Sequence, residues 1–425
     1  MTLICRQKPR RIAAVAILIQ GVANCGGRSG LDKDVAVGGS APGGTPYVGG
    51  NTDIGGSSST GGTTTGNSSA TSAKLVAKTV AANYSHTCVV LSSGSVQCWG
   101  ANDSGQLGDN STTNSSVPVQ VHSLSLGATV VAIGAGFSCA AVIGGAYCWG
   151  VNDGGQLGNG SKANSLAPIQ VSDLPFGVTD IACGNRHTCA VAAGVVYCWG
   201  FNYSGQLGNG STTDSFAPVQ VSGLPAGVTA IAAGFASSCA LVNGSVYCWG
   251  VNSGGLLGNN TTGNSPVPVS VMGLTSNVTS VTAGDFHTCA EVAGKVYCWG
   301  LNYDGQLGND SITESAVPIQ VQGLSLNVVN MRAGNSHTCA LVNGSAYCWG
   351  RDDYGQLGNG SRIQHSTVPL EVQGLTLGST SITAGTGHTC ALANGSVYCW
   401  GYNGEGELGN GTTGISLVPT TVVGF

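Results

Sequence analysis

Cysteine is the residue whose spacing offers the most chemistry here. The chain holds 17 Cys. Fourteen fall into close pairs: Cys88–Cys98, Cys139–Cys148, Cys189–Cys198, Cys239–Cys248, Cys289–Cys298, Cys339–Cys348 and Cys390–Cys399. Close pairs serve disulfides or metal sites. A structural zinc takes four ligands, and each pair supplies two, so disulfides are expected. Cys5, Cys25 and Cys183 are left over. Histidine recurs two residues before the first Cys, at His86, His187, His287, His337 and His388, while Phe137 and Ser237 fill the same place in two copies. Such a broken ring is a poor metal site. It reads as structural His whose ring nitrogen satisfies a neighbouring backbone group. Asp304, Asp353 and Glu405 lie in Asn/Gly-rich loops. Calcium takes six to eight oxygen ligands, so single carboxylates read as turn residues. No paired acids, nucleophile–His arrangement or metal cluster stands out. The expectation is a non-catalytic protein without metal or cofactor.

A repeated unit carries these residues. Cys-Trp-Gly places Trp at 99, 149, 199, 249, 299, 349 and 400, a period of 50 five times and then 51. The apolar stretches between are four to six residues long, rich in β-branched side chains and bounded by Gly, Asn and Pro. That is strand chemistry. Four short strands per unit fit a propeller blade, and seven blades close a ring that removes exposed sheet edges. The predicted fold is all-β: a seven-bladed β-propeller of four-stranded blades, with a disulfide across one hairpin of each. Asn243-Gly244, Asn343-Gly344 and Asn394-Gly395 suit two-residue turns with positive φ. Counting outward from Asn243-Gly244, Cys239 faces Cys248 at a non-hydrogen-bonded site, where Cα atoms lie ~4.5 Å apart. A disulfide fits that separation. The first copy is one residue longer, which a three-residue loop ending in Gly94 absorbs.

The loop after each Trp carries a second motif. Gly-Gln-Leu-Gly stands at 105–108, 155–158, 205–208, 305–308 and 355–358, with Gly255-Leu256-Leu257-Gly258 and Gly406-Glu407-Leu408-Gly409 as variants. Together with Gly184-x-x-His187-Thr188-Cys189, this resembles the regulator-of-chromosome-condensation repeat over residues 79–425. The resemblance implies a seven-bladed propeller. It also implies two kinds of work. The founding eukaryotic member is a guanine-nucleotide exchange factor for the Ran GTPase that also docks on chromatin. Another relative is a secreted bacterial propeller that inhibits β-lactamases.

Composition narrows the compartment and the partner. Hydrophobic residues make up 42% of the chain, enough for a packed core, but charged residues only 8%. Residues 79–425 carry 6 basic and 16 acidic side chains, a balance of 6 − 16 = −10. Such a domain repels nucleic acid. Residues 1–25 read as an export signal. Arg6, Lys8, Arg10 and Arg11 precede an apolar run, Ile12 to Ala23, which is too short to span a bilayer as a helix of ~20 residues. Val22-Ala23-Asn24-Cys25 resembles a lipobox with Cys25 as lipidation site, and ordinary cleavage after Ala23 is the alternative. Residues 26–77 read as a flexible Gly/Ser/Thr linker, and 78–425 as the propeller. The expectation is an outer-membrane or cell-surface lipoprotein, or a secreted protein. Disulfides need that oxidising setting.

Antiparallel order puts the loop between the first and second strands on the same face as the loop between the third and fourth. Copies differ most on this loop face. It carries Tyr84, Arg186, Phe201, Tyr203, Phe235, Phe286, Tyr303, Asn335, Arg351, Tyr354 and Tyr402. Tyr, Phe and Arg suit binding hot spots. The opposite, hairpin face reads as mainly Asn, Gly, Ser and Ala. The expected function is a monomeric, non-catalytic binding module for a protein or glycan at the cell surface, touching the membrane only through a lipid anchor. Exchange factor and secreted enzyme inhibitor are the alternatives.

Overall fold

The computed structural model describes residues 75–324, 327–375 and 378–425. The expected export signal, Cys25 and nearly all of the expected linker lie outside these described residues. Among them, 28 strands form seven four-stranded antiparallel sheets, each taking its strands in chain order. The first blade runs Ala77–Asn83, His86–Leu91, Val96–Gly100 and Ser115–Gln120. The fourth runs Val228–Ala233, Ser237–Val242, Ser245–Gly250 and Ser265–Ser270. The first strands of all seven blades line an axial channel.

The hairpin register agrees with the count from the turn. Val242 pairs with Ser245, Leu241 with Val246, Ala240 with Tyr247 and Cys239 with Cys248. In the first blade Leu91 N donates to Ser95 O at 2.8 Å, enclosing Ser92, Ser93 and Gly94. All seven expected disulfides form, with Cα atoms 4.0–4.1 Å apart. Cys183 is free and buried.

The core lies between blades. Each disulfide packs with the Trp of the following blade. Cys189 and Cys198 share a cluster with Trp249, together with Leu207, Val221 and Ile231. Cys390 and Cys399 share one with Trp99, which closes the ring. The Gly-Gln-Leu-Gly motif explains itself here. Trp249 Nε1 donates to Gln206 O at 2.9 Å, and Leu207 fills the same cluster. A Cβ on Gly208 would stand 2.6 Å from that indole nitrogen, so only Gly permits the approach. Closure needs no exchanged strand. Thr87 Oγ1 and Trp99 Nε1 both donate to Glu407 O, at 3.0 and 2.8 Å, and Gly411 N donates to Ser116 O at 2.9 Å. Among the described residues every strand that builds the ring falls within 77–421, so residues 75–425 hold all of the ring's strands and its seven disulfides.

Candidate binding face

The long loop between third and fourth strands is held by one buried side chain per blade. Asn102 Oδ1 accepts Leu107 N at 2.9 Å, while its Nδ2 donates to Ser111 O at 3.2 Å and Thr113 O at 3.1 Å. Asn152, Asn202, Asn252, Asn302 and Asn403 repeat this staple. The sixth blade carries Asp352, which has no N–H to donate. Its carboxylate instead accepts Leu357 N at 3.0 Å and Ile363 N at 3.3 Å. Burial raises its pKa.

The recurring His braces one blade against the next, and here the structure corrects the sequence reading. The ring nitrogen meets a side-chain hydroxyl of the following blade, not a backbone group. His187 Nε2 lies 2.9 Å from Ser238 Oγ, which donates its proton to Gln206 O at 2.9 Å. A hydroxyl has one proton, so Nε2 must carry the hydrogen of the His–Ser bond. His86, His287, His337 and His388 meet Ser138, Thr338, Thr389 and Thr87 at 2.7–2.9 Å. Burial lowers the pKa of each ring, to about 3 or about 4. These histidines belong to the frame, not to a site.

Three groups of exposed or half-exposed side chains stand on that frame. The first spans the mouth of the axial channel. Tyr84, at φ 43°, sends its phenol across to Asp285, donating to Oδ1 at 3.1 Å. Asn185 Nδ2 donates to the Tyr84 oxygen at 2.8 Å, and Asn335 Nδ2 donates to Asp285 Oδ2 at 2.7 Å. Asp285 is buried, and burial raises its pKa against the pull of its two donors, Asn335 and Tyr84. Tyr84 is raised by burial and by the nearby carboxylate. Phe235 is half-buried beside this group, its carbonyl accepting Asn185 N at 3.3 Å.

The second group joins blades two and three. Arg186 pairs with Asp153 and stacks 3.9 Å from the Phe201 ring centroid. Phe201 in turn covers Gly154, where a Cβ would meet the ring at 2.1 Å. Phe201 is therefore half-committed to packing between blades. Tyr203 rises beside them, 59% exposed.

The third group joins blades six and seven. Tyr354 and Tyr402 meet edge to face at 5.1 Å, and a Cβ on Gly387 would meet the Tyr354 ring at 3.2 Å and the Tyr402 Cβ at 3.1 Å. Arg351 Nε donates to Asp353 Oδ2 at 2.6 Å, a bond that raises the guanidinium pKa. Arg362 lies 6.0 Å from the Tyr354 ring centroid. Of the remaining candidates, Tyr303 is 66% and Phe286 36% exposed, and Tyr303 OH donates to Glu314 Oε2 at 3.4 Å. Sequence reasoning missed Asp285, Asn185, Asp153 and Arg362. Asp285 and Asn185 occupy the same varying position as Tyr84, two residues before the recurring His, so the signal was present.

The hairpin face differs from its reading as mainly Asn, Gly, Ser and Ala. Leu126, Ile143 and Phe176 are 66%, 71% and 78% exposed there. They form one stripe, because a Cβ on Gly127 would meet Ile143 at 2.6 Å and one on Gly144 would meet Phe176 at 2.7 Å.

Comparison with known proteins agrees with this architecture. The RCC1-like domain matches residues 144–424, and the regulator of chromosome condensation (RCC1) repeat matches 77–106 and 93–141. No curated protein sequence matches significantly. Among solved structures, human WBSCR16 aligns with a TM-score of 0.71 at 25% identity, over 77% of this chain and 94% of its own. Yeast RCC1 (Prp20), solved bound to Kap60, gives 0.68 at 23% identity, over 77% and 83%. Prp20p from Saccharomyces cerevisiae, studied for its binding to Gsp1p and histones, gives 0.68 at 22%, over 82% and 87%. Those two likenesses establish the fold alone. Seven blades, sevenfold Cys-Trp-Gly and the Gly-Gln-Leu-Gly braces agree with the match across two-thirds of the sequence: the chain belongs to the RCC1-like domain family.

Proposed function

We propose that this chain is an exported, non-catalytic binding module that holds a protein or glycan partner on its loop face. The observation that carries the reading is the group at blades six and seven. Two tyrosine rings and two guanidinium groups stand together on loops held by buried Asp352 and Asn403. Tyr and Arg are the side chains enriched in hot spots, and loops already fixed lose little entropy on binding.

Two further features support the reading. Seven disulfides fit an oxidising compartment. With Lys78 added to the count, the ring carries 7 basic and 16 acidic side chains, a balance of 7 − 16 = −9, and prefers a neutral or basic partner, with association that weakens as salt rises.

The test is capture from cell envelope or spent medium on immobilised residues 75–425. The triple variant Arg351→Ala, Tyr354→Ala, Tyr402→Ala should release what the native ring retains. Acceleration of nucleotide release from a GTPase by the ring would favour the exchange-factor alternative instead.

A further inference from the structure

The lining of the axial channel carries two cations, Arg332 and Lys78, and one acid, Asp180. The first strands of all seven blades enclose about 620 Å³, within the range of small-molecule sites. At the level of the disulfides the lining ring reads Ala81, Ala132, Ala182, Ala232, Thr282, Arg332 and Thr383, each paired in register with the first Cys of its blade. Six positions are small. Arg332 alone is long and charged, and it is exposed to the lumen.

Protein groups meet little of its hydrogen-bonding capacity. A guanidinium has five N–H donors. Among the described residues the Arg332 guanidinium makes one bond, Nη1 to the carbonyl of its neighbour Met331 at 2.9 Å. Asp180 is the acid that shares the channel, but backbone amides occupy both its oxygens. Ile181 N donates to Oδ1 and Ile231 N to Oδ2, each at 3.0 Å. No ion pair joins Asp180 to Arg332 among the described residues, so the carboxylate offsets the guanidinium charge only from longer range. Lys78 is the other charged group of the lining, so the walls carry two cations against one committed carboxylate.

Donors gather beside Arg332. Asn330, two positions earlier on the same strand, uses its Oδ1 to accept Ile382 N at 3.3 Å, so what it offers the lumen is N–H. Thr282 Oγ1 accepts Ala333 N at 3.2 Å and keeps a proton to give. The Tyr84–Asp285–Asn335 network spans the loop-face mouth, three residues beyond Arg332 along the chain. Access is then from the hairpin face.

We propose that the channel binds a small oxyanion, a carboxylate or phosphate group, on Arg332, with Asn330 and Thr282 as supporting donors. A guanidinium fork matches two oxygens of either group, and attraction between opposite charges strengthens away from bulk water. The site lies apart from the loop face and does not depend on the partner proposed for it.

Calorimetric titration of residues 75–425 with inorganic phosphate and with succinate, at constant chloride, tests the proposal and separates the two headgroups. At least one anion should bind with a stoichiometry of about one, as a single unpaired guanidinium requires. Arg332→Thr installs the residue that blades five and seven carry at this position, so the ring should still fold. It should weaken binding by about tenfold or more. Lys295→Ala, on the hairpin of blade five, should leave binding unchanged. Asp180→Asn should tighten it by removing the one lining carboxylate. Equal binding by the native ring and Arg332→Thr would place the ion elsewhere and overturn the proposal, as would no saturable binding of either anion by the folded native ring.

Discussion

The indole Nε1 of Trp99, in the first blade, donates to the backbone carbonyl of Glu407, in the last, at 2.8 Å. Six other Trp make the same bond to the blade before them. The ring therefore closes with the device that joins its other blades. What differs is the side chain at 407, a Glu where five blades have Gln.

Glu407 is fully buried. Its Oε2 accepts Glu405 N at 2.9 Å, and Oε1 has no partner among the described residues. Burial pushes its pKa up to about 7 from 4.5. An acid with a raised folded pKa costs stability when it ionises. The cost is absent below pH 4.5, grows as pH rises and is complete above about 7. Glu407→Gln should therefore stabilise the ring by roughly 1–3 kcal/mol at pH 8 and leave it unchanged near pH 4. Denaturant unfolding at the two pH values checks this.

The five buried His act in the opposite direction. Their folded pKa values of about 3 to about 4 lie below the ordinary 6.5. The unfolded chain takes up protons first, so stability falls as pH drops from 6.5 towards 4. His187→Phe follows the precedent of Phe137 in blade two. It should make the melting temperature less sensitive to acid over that window, and an unchanged slope would remove His187 from the account.

Non-reducing peptide mapping should find every disulfide inside its own hairpin. Replacing Cys239 and Cys248 by Ser should cost roughly 2–3 kcal/mol. Cys183 should resist alkylation in the folded ring, because it is buried and burial raises its thiol pKa. Rapid native labelling of Cys183 would contradict its placement.

Ile143 sits at φ 48°, a region that β-branched residues avoid. The same turn position holds Asn243, Asn343 and Asn394 in other blades. Ile143→Asn should raise stability by about 1 kcal/mol and reduce exposed apolar surface. Chemical denaturation, with dye binding to follow the apolar surface, would show both effects.

Much of this frame was legible in the sequence, because local rules fix it. Asn243-Gly244 sets a two-residue turn, the turn sets the register, and the register brings Cys239 to Cys248. The period of the Trp residues counts the blades. Contacts that depend on the diameter of the closed ring were not legible. Nothing local says that Tyr84 reaches Asp285, which lies 201 residues away across the channel mouth. The partner of each His was misread because the hydroxyl it meets belongs to the next blade. Ile143 and Phe176 escaped notice because they lie in separate turns 33 residues apart, and only the folded ring sets them side by side.

The most direct test of the binding-face account compares two variants of residues 75–425 in one capture experiment. One is the loop-face triple Arg351→Ala, Tyr354→Ala, Tyr402→Ala. The other is the hairpin-face triple Leu126→Ser, Ile143→Asn, Phe176→Ser. Both should melt cooperatively. The loop-face triple should lose the captured partner and the hairpin-face triple should keep it. Loss of the partner by the folded hairpin-face variant, with retention by the loop-face variant, would assign binding to the opposite face.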